Sequence, residues 1–207
     1  MKLFRKFEHS CFVSKVVLKI RSLAKPLSVV RNSQTVGVKA MTLEEILKKY
    51  KAIQTAPFNP FSNAKLFDSF PHGTRRYKEQ LLKLLETKIS SQNPEDLGFY
   101  LALAHRDGMD EAYKPILKQL VLATWHDNHE DVVDYIAKFK DDDFTDDLYT
   151  IAITPEPYRQ YDDEMEATLR KCVHALKAIN SENSNKRLEQ LESSGNDNVH
   201  YALEMYP

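Results

Sequence analysis

Residues Ala123–Ile136, ATWHDNHEDVVDYI, place a tryptophan, two histidines and a run of acids within one short stretch. Histidine is the commonest metal ligand and general acid–base, so the spacing is the first test. Zinc-protease helices carry HExxH, or HxxEH in the inverted form. Here the order is His126-x-x-His129-Glu130, which matches neither. Asp127 and Asn128 between the histidines are cap-forming types, so a turn is expected to separate the rings. A third ligand such as Asp162 or Asp163 has no support in the spacing, and neither a metal nor a cofactor is expected.

A plainer reading accounts for most of the stretch. Asn128 caps a helix, and Glu130 and Asp131 occupy its first turn, where the macrodipole favours acids. Val132, Val133, Ile136 and Phe139 then follow the spacing of a core-facing stripe, and Trp125 ends the preceding helix. The functional alternative is a protein-binding surface at a helix–helix junction. A second cluster, TPEPYRQYDDE, supports it: Pro155 and Pro157 stop a helix at Ile153, and Tyr158, Arg159 and Tyr161 precede Asp162, Asp163 and Glu164. This is either a loop with an acidic helix cap or a projecting edge of the side-chain types that dominate interface hot spots.

No other constellation suggests catalysis. There is no glycine-rich phosphate loop and no nucleophile elbow, and no catalytic residue is assigned. Cys11 and Cys172 are far apart and form no metal-like pair, and so few cysteines point to a reducing, cytoplasmic setting. KDDDFTDD lacks the glycine and the closing glutamate of a calcium loop and reads as a solvated interhelical turn. No apolar run reaches the roughly 18 residues of a membrane-spanning helix.

Charge divides the chain of 207 residues. Residues 1–40 hold nine basic side chains and one acid, Glu8, whereas 41–207 hold 20 basic and 29 acidic residues, a net of −9. The basic segment 1–40 reads as a leader or as an over-extended start before Met41, and is expected to be poorly ordered. A body of net −9 without a clustered Lys/Arg stripe disfavours nucleic-acid binding. Only 5 glycines argue against a turn-rich β fold.

The elements that must position both clusters are helical. Thr42 and Glu45 form a capping-box pattern ahead of the stripe Leu43, Ile46, Leu47, Tyr50. A Pro/Phe-rich loop completes 41–72. The stripe Tyr77, Leu81, Leu84, Leu85, Ile89 follows, and Asn93-Pro94 is expected to open a further helix. Helices are then expected near 109–125, 128–140, 143–153, 163–180, 182–193 and 196–206, joined by short turns that force antiparallel neighbours. Leu101, Ala104, Met109, Tyr113 and Ile116 superpose on Ile136, Phe139, Phe144, Leu148 and Ile151 at a shift of 35. That second set maps onto Leu176, Ile179, Ser184, Leu188 and Leu191 at a shift of 40. No unit could bury its stripe alone, so such units must stack.

The repeating helix–turn–helix pattern resembles HEAT-type repeats over 73–206. WHDNHEDVVDYIAKFKD (125–141) with YRQYDDEMEATLRKCVHAL (158–176) resembles a group of small bacterial HEAT-repeat proteins, some of which look like immunity proteins of toxin systems. The resemblance implies an all-α solenoid of stacked antiparallel helix pairs over 73–207. It also implies a protein partner; the net of −9 points to a basic toxin domain as that partner, and neither nucleic acid nor membrane is expected. Trp125, His126, His129, Glu130, Asp131, Tyr158, Tyr161, Asp162 and Asp163 are the candidate contact residues. The alternative is a HEAT-like enzyme, of lyase or base-excision type, with a carboxylate-lined concave pocket. Oligomeric state stays open.

Overall fold

A computed structural model describes residues 41–55, 66 and 74–205, and the described residues are all-helical with no strand. The leader 1–40 and nearly all of the Pro/Phe-rich loop lie outside them. The chain divides into two compact units, Met1–Leu81 and Leu82–Pro207. Among the described residues, no helix is long and apolar enough to cross a membrane.

In the first unit, α1 (Leu43–Thr55) opens on the expected capping box. The Glu45 N–H donates to Thr42 Oγ1 at 3.2 Å, and the Thr42 N–H donates to Glu45 Oε2 at 2.7 Å. Two donors that a helix start leaves orphaned are thus satisfied reciprocally. Leu43 and Ile46 are buried, as are Leu66, Tyr77 and Leu81. The last two lie on α2 (Arg75–Ser90), which runs across the unit boundary and buries Leu85 on the same stripe.

The second unit begins its regular part with α3 (Leu97–Arg106), three residues later than Asn93-Pro94 suggests. Asn93 Oδ1 accepts from the Glu95 N–H at 2.8 Å, and Asp96 sits in the left-handed region at φ 61°. The Asn-Pro pair therefore builds a turn ahead of the helix, because a left-handed residue cannot continue one. Beyond it come α4 (Lys114–Leu120), α5 (His129–Ile136), α6 (Thr145–Ile153) and a single interrupted turn, α7 (Pro155–Tyr158). Helices α8 (Ala167–Ile179), α9 (Glu182–Glu192) and α10 (Asp197–Met205) complete the described chain. Short 3₁₀ turns, Glu111–Tyr113 and Asp142–Phe144, lead into α4 and α6.

One local device recurs three times. A left-handed residue is followed by a side-chain N-cap and then a helix: Met109 with Asp110, Lys140 with Asp141, and Asn180 with Ser181. The left-handed residue ends one helix and the cap satisfies the first amides of the next. The second and third turns are 40 residues apart, as the stripe comparison has it. The first and second are 31 apart rather than 35. The stripe alone was ambiguous by four residues, because a shift of about one helical turn (3.6 residues) superposes one apolar face on itself. In the corrected register Tyr113, Leu117 and Leu120 correspond to Phe144, Leu148 and Ile151, and all six are fully buried. Ser184, the polar member of the third set, is buried because it completes a reciprocal capping box with Ser181.

Helix α8 is the hub of this unit and packs against α5, α6, α9 and α10. Helix α9 also packs on α6 and α10, and α5 on α3 and α4. Charged pairs tie successive turns along one layer. Lys114 reaches Asp141 and Asp143, Lys118 reaches Asp147 at 2.5 Å, and Arg187 reaches Asp146 at 2.7 Å. Asp142 accepts from both Thr145 and Ser181. KDDDFTDD is thus a junction between neighbouring turns, not a merely solvated one.

Candidate functional site

The first cluster is built at the junction of α4 and α5. Helix α4 ends at Leu120, short of Trp125, and the chain turns there, with the Ala123 N–H donating to the Leu120 carbonyl at 3.0 Å. Two histidines add donors to carbonyls of this connection. His126 Nε2 lies 3.0 Å from the Leu120 carbonyl oxygen and His129 Nε2 lies 2.9 Å from that of Ala123. A carbonyl only accepts, so both Nε2 atoms carry the proton. His126 Nδ1 in turn accepts the Asn128 N–H at 3.1 Å, which engages both nitrogens of that ring.

The rings of His126 and His129 stack at 4.5 Å, with the edges of Trp125 (4.9 Å) and Tyr158 (5.2 Å) closing the row. Burial pushes the His126 pKa down to about 4, helped by the neighbouring His129, and burial likewise lowers that of His129. These are neutral, structural imidazoles. Asn128 precedes α5 without donating or accepting a side-chain cap bond. Its amide lies instead over α3, where a Cβ on Gly98 would come within 3.0 Å of Nδ2. Glycine is what lets the two approach.

The acids of this helix point elsewhere. Glu130 and Asp134 both pair with Lys171 of α8, each at 2.9 Å. Burial alone would lower the Lys171 pKa, but the two carboxylates outweigh it and raise it. Asp131 is buried. Cys172, beside Lys171, is fully buried, and burial pushes its thiol up, away from the reactive thiolate.

The second cluster is organised by Arg159, which sequence reasoning noticed but did not select. Its guanidinium is buried and makes three polar contacts. Nε donates to the Ile151 carbonyl at 3.1 Å, and Nη1 lies 3.0 Å from Glu166 Oε1 and 3.5 Å from Asp162 Oδ2. Asp162 caps α8 from within, accepting from the Thr168 N–H at 3.0 Å and the Thr168 hydroxyl at 2.7 Å. Glu166 Oε2 accepts from Asn196 at 2.8 Å and Asn198 at 3.1 Å. Burial works against the Glu166 carboxylate, yet the bonds from Asn196, Arg159 and Asn198 lower its pKa on balance. The same bonds hold Glu166 in a left-handed conformation, φ 43°, a strain that persists only under such constraint.

The nine candidate residues therefore divide by exposure. His126, His129 and Asp131 are buried, while Trp125, Glu130, Tyr158 and Asp162 are half-buried and hold the frame. Tyr161 and Asp163 are exposed, and Glu164 and Met165 join them on the same loop. The structure brings the two clusters together through the His129–Tyr158 contact.

Among the described residues, no three His, Cys, Asp or Glu side chains gather into a metal-binding group. With both His126 nitrogens engaged, the purified chain should carry no stoichiometric zinc or iron. Elemental analysis returning one metal per chain, lost in His126→Ala, would contradict this. No protein-family model matches the chain, and it has no match among curated proteins or solved structures.

Proposed function

We propose that the chain is a protein-binding α-solenoid whose exposed loop, residues 160–165, grips a basic partner, with toxin neutralisation as the role that best fits its charge. The observation that carries the reading is the build of that loop. Tyr161, Asp163, Glu164 and Met165 face outward, while Arg159, Asp162 and Glu166 immediately around them are tied inward. A rigid base lowers the ordering cost of binding, and exposed tyrosine beside acids suits a basic surface.

The stacked-repeat arrangement is supported by the three recurring turns, each joining one helix to the next. An acidic body of net −9 can occupy the basic groove by which a nuclease toxin holds phosphate, and steered association then follows. A cytoplasmic location belongs to the same proposal.

The test is co-purification with the product of the adjacent gene, followed by binding measurements across ionic strength. Tyr161→Ala should weaken binding by about 2 kcal/mol or more, as hot-spot truncations do, with the melting temperature unchanged. The association rate should fall as salt rises. A salt-independent rate removes the basic-partner reading, and unchanged affinity in Tyr161→Ala removes the loop.

A further inference from the structure

The His126–His129 pair has a feature that capping alone does not require. The Leu120 carbonyl already accepts the Ala123 N–H, yet the two rings are brought face to face, 28° from parallel, and out of water. We propose that this pair is a proton-operated latch. With both rings neutral it holds the α4–α5 junction and Tyr158 in place, and uptake of a proton releases them. The inference stands on this geometry and is independent of which partner the chain binds.

The proton has one place to go on His126. Nε2 already carries hydrogen toward the Leu120 carbonyl, so the incoming proton must take Nδ1. There it turns an acceptor into a donor facing the Asn128 N–H, and that bond is lost. The charge also arrives against the stacked ring of His129, and a second proton would face it across 4.5 Å.

Surrounding groups offer little compensation. Asp127, exposed in the same connection, acts on His129 and favours its charged form. On α5 itself, Glu130 and Asp134 are engaged by Lys171 of α8, and Asp131 is buried. Helix α4 contributes the Leu120 carbonyl, α3 contributes Gly98 beneath Asn128, and α7 contributes the Tyr158 ring.

The sign follows from the lowered values of both rings. The unfolded or opened chain, with histidine near 6.5, takes up protons before the closed one. Closure is therefore fully favoured above about pH 6.5 and is lost as pH falls toward the His126 value of about 4. Tyr158, resting on His129, links the latch to the loop that carries Tyr161 and Asp163.

The chain's 1 tryptophan, Trp125, abuts His126 and so reports on the latch directly. Its emission is followed in the full chain from about pH 7.5 to about pH 4 beside the far-ultraviolet helical signal, a window that spans free imidazole. Expected is a change in intensity and wavelength with its midpoint below the free imidazole value, while the helical signal holds. His126→Gln with His129→Gln retains amide donors for both carbonyls and takes up no proton, so its emission should stay flat.

Unchanged wild-type emission overturns the proposal. So does a change that coincides with loss of helix, and so does an unaltered transition in the double variant. Should that variant fail to fold, imidazole NMR titration of the wild-type chain decides. Ring midpoints at or above the free value overturn the latch, and depressed midpoints accompanied by movement of Tyr158 resonances support it.

Discussion

Arg159→Met is expected to destabilise the second unit by about 3–5 kcal/mol, the cost of removing one partner from a buried ionic cluster. The arginine makes no lone surface pair. Its guanidinium joins the Ile151 carbonyl at the end of α6 to Asp162 and Glu166 at the start of α8. Methionine preserves much of the volume but removes one of two donors from the Ile151 carbonyl and leaves the Asp162 and Glu166 carboxylates with neutral donors and no cation, the Asp162 side chain being only 9% exposed. Glu166 adds a pH signature. Its folded pKa is depressed, so its stabilisation is present above the ordinary glutamate range and lost as pH falls through the folded value. The penalty of Arg159→Met should therefore shrink in acid. Denaturant unfolding at neutral and acid pH checks both statements, and a neutral-pH loss below about 1 kcal/mol, the size of an exposed pair, would refute the assignment.

Phe144→Ala should cost about 3–5 kcal/mol, whereas Phe139→Ala, five residues earlier, should cost clearly less. The chemical change is the same and the sites differ in burial. Phe144 is 0% exposed in the turn before α6, with the Lys118 ammonium 5.2 Å from its ring centroid. Phe139 is half-buried beyond the end of α5. Phe144 is fully enclosed, so a void left there relaxes poorly and the cavity cost adds to the lost transfer energy. Equal effects in urea unfolding would mean that the turn is not part of the packed core.

Much of the helical framework was legible because helix signals are local. The Thr42–Glu45 box, the stripe on α2, the stop at Ile153 and the turns at Lys140 and Asn180 all appear where residue types place them. The start of α3 was misplaced, since Asn93-Pro94 is equally competent as a turn. The first repeat register slipped by four residues, because a stripe compared with itself one turn away looks almost unchanged.

The internal partners of the candidate residues were not legible in the sequence. His126, His129, Asp162 and Glu130 were singled out as contact residues for a partner, and each has a carbonyl, amide or lysine partner within the fold. Local sequence names a donor or an acceptor but is silent on its partner. The decisive partners of Arg159 and Glu166 include Ile151, Asn196 and Asn198, on either side of the loop and up to 32 residues away. A signal was available in one case, for Glu130 and Asp134 stand one helical turn apart on α5 and so could share a cation. That the cation is Lys171 follows only from the packing of α5 on α8.

By itself, then, the sequence determined the helical character of the described body, several of the places where helices start and stop, and a net of −9 over 41–207, because periodicity, caps and charge are properties of neighbouring residues or of composition. Tertiary structure alone decided which polar side chains turn inward and which stay exposed. A histidine or a carboxylate can be buried only where the packing of distant segments brings a hydrogen-bond partner to it.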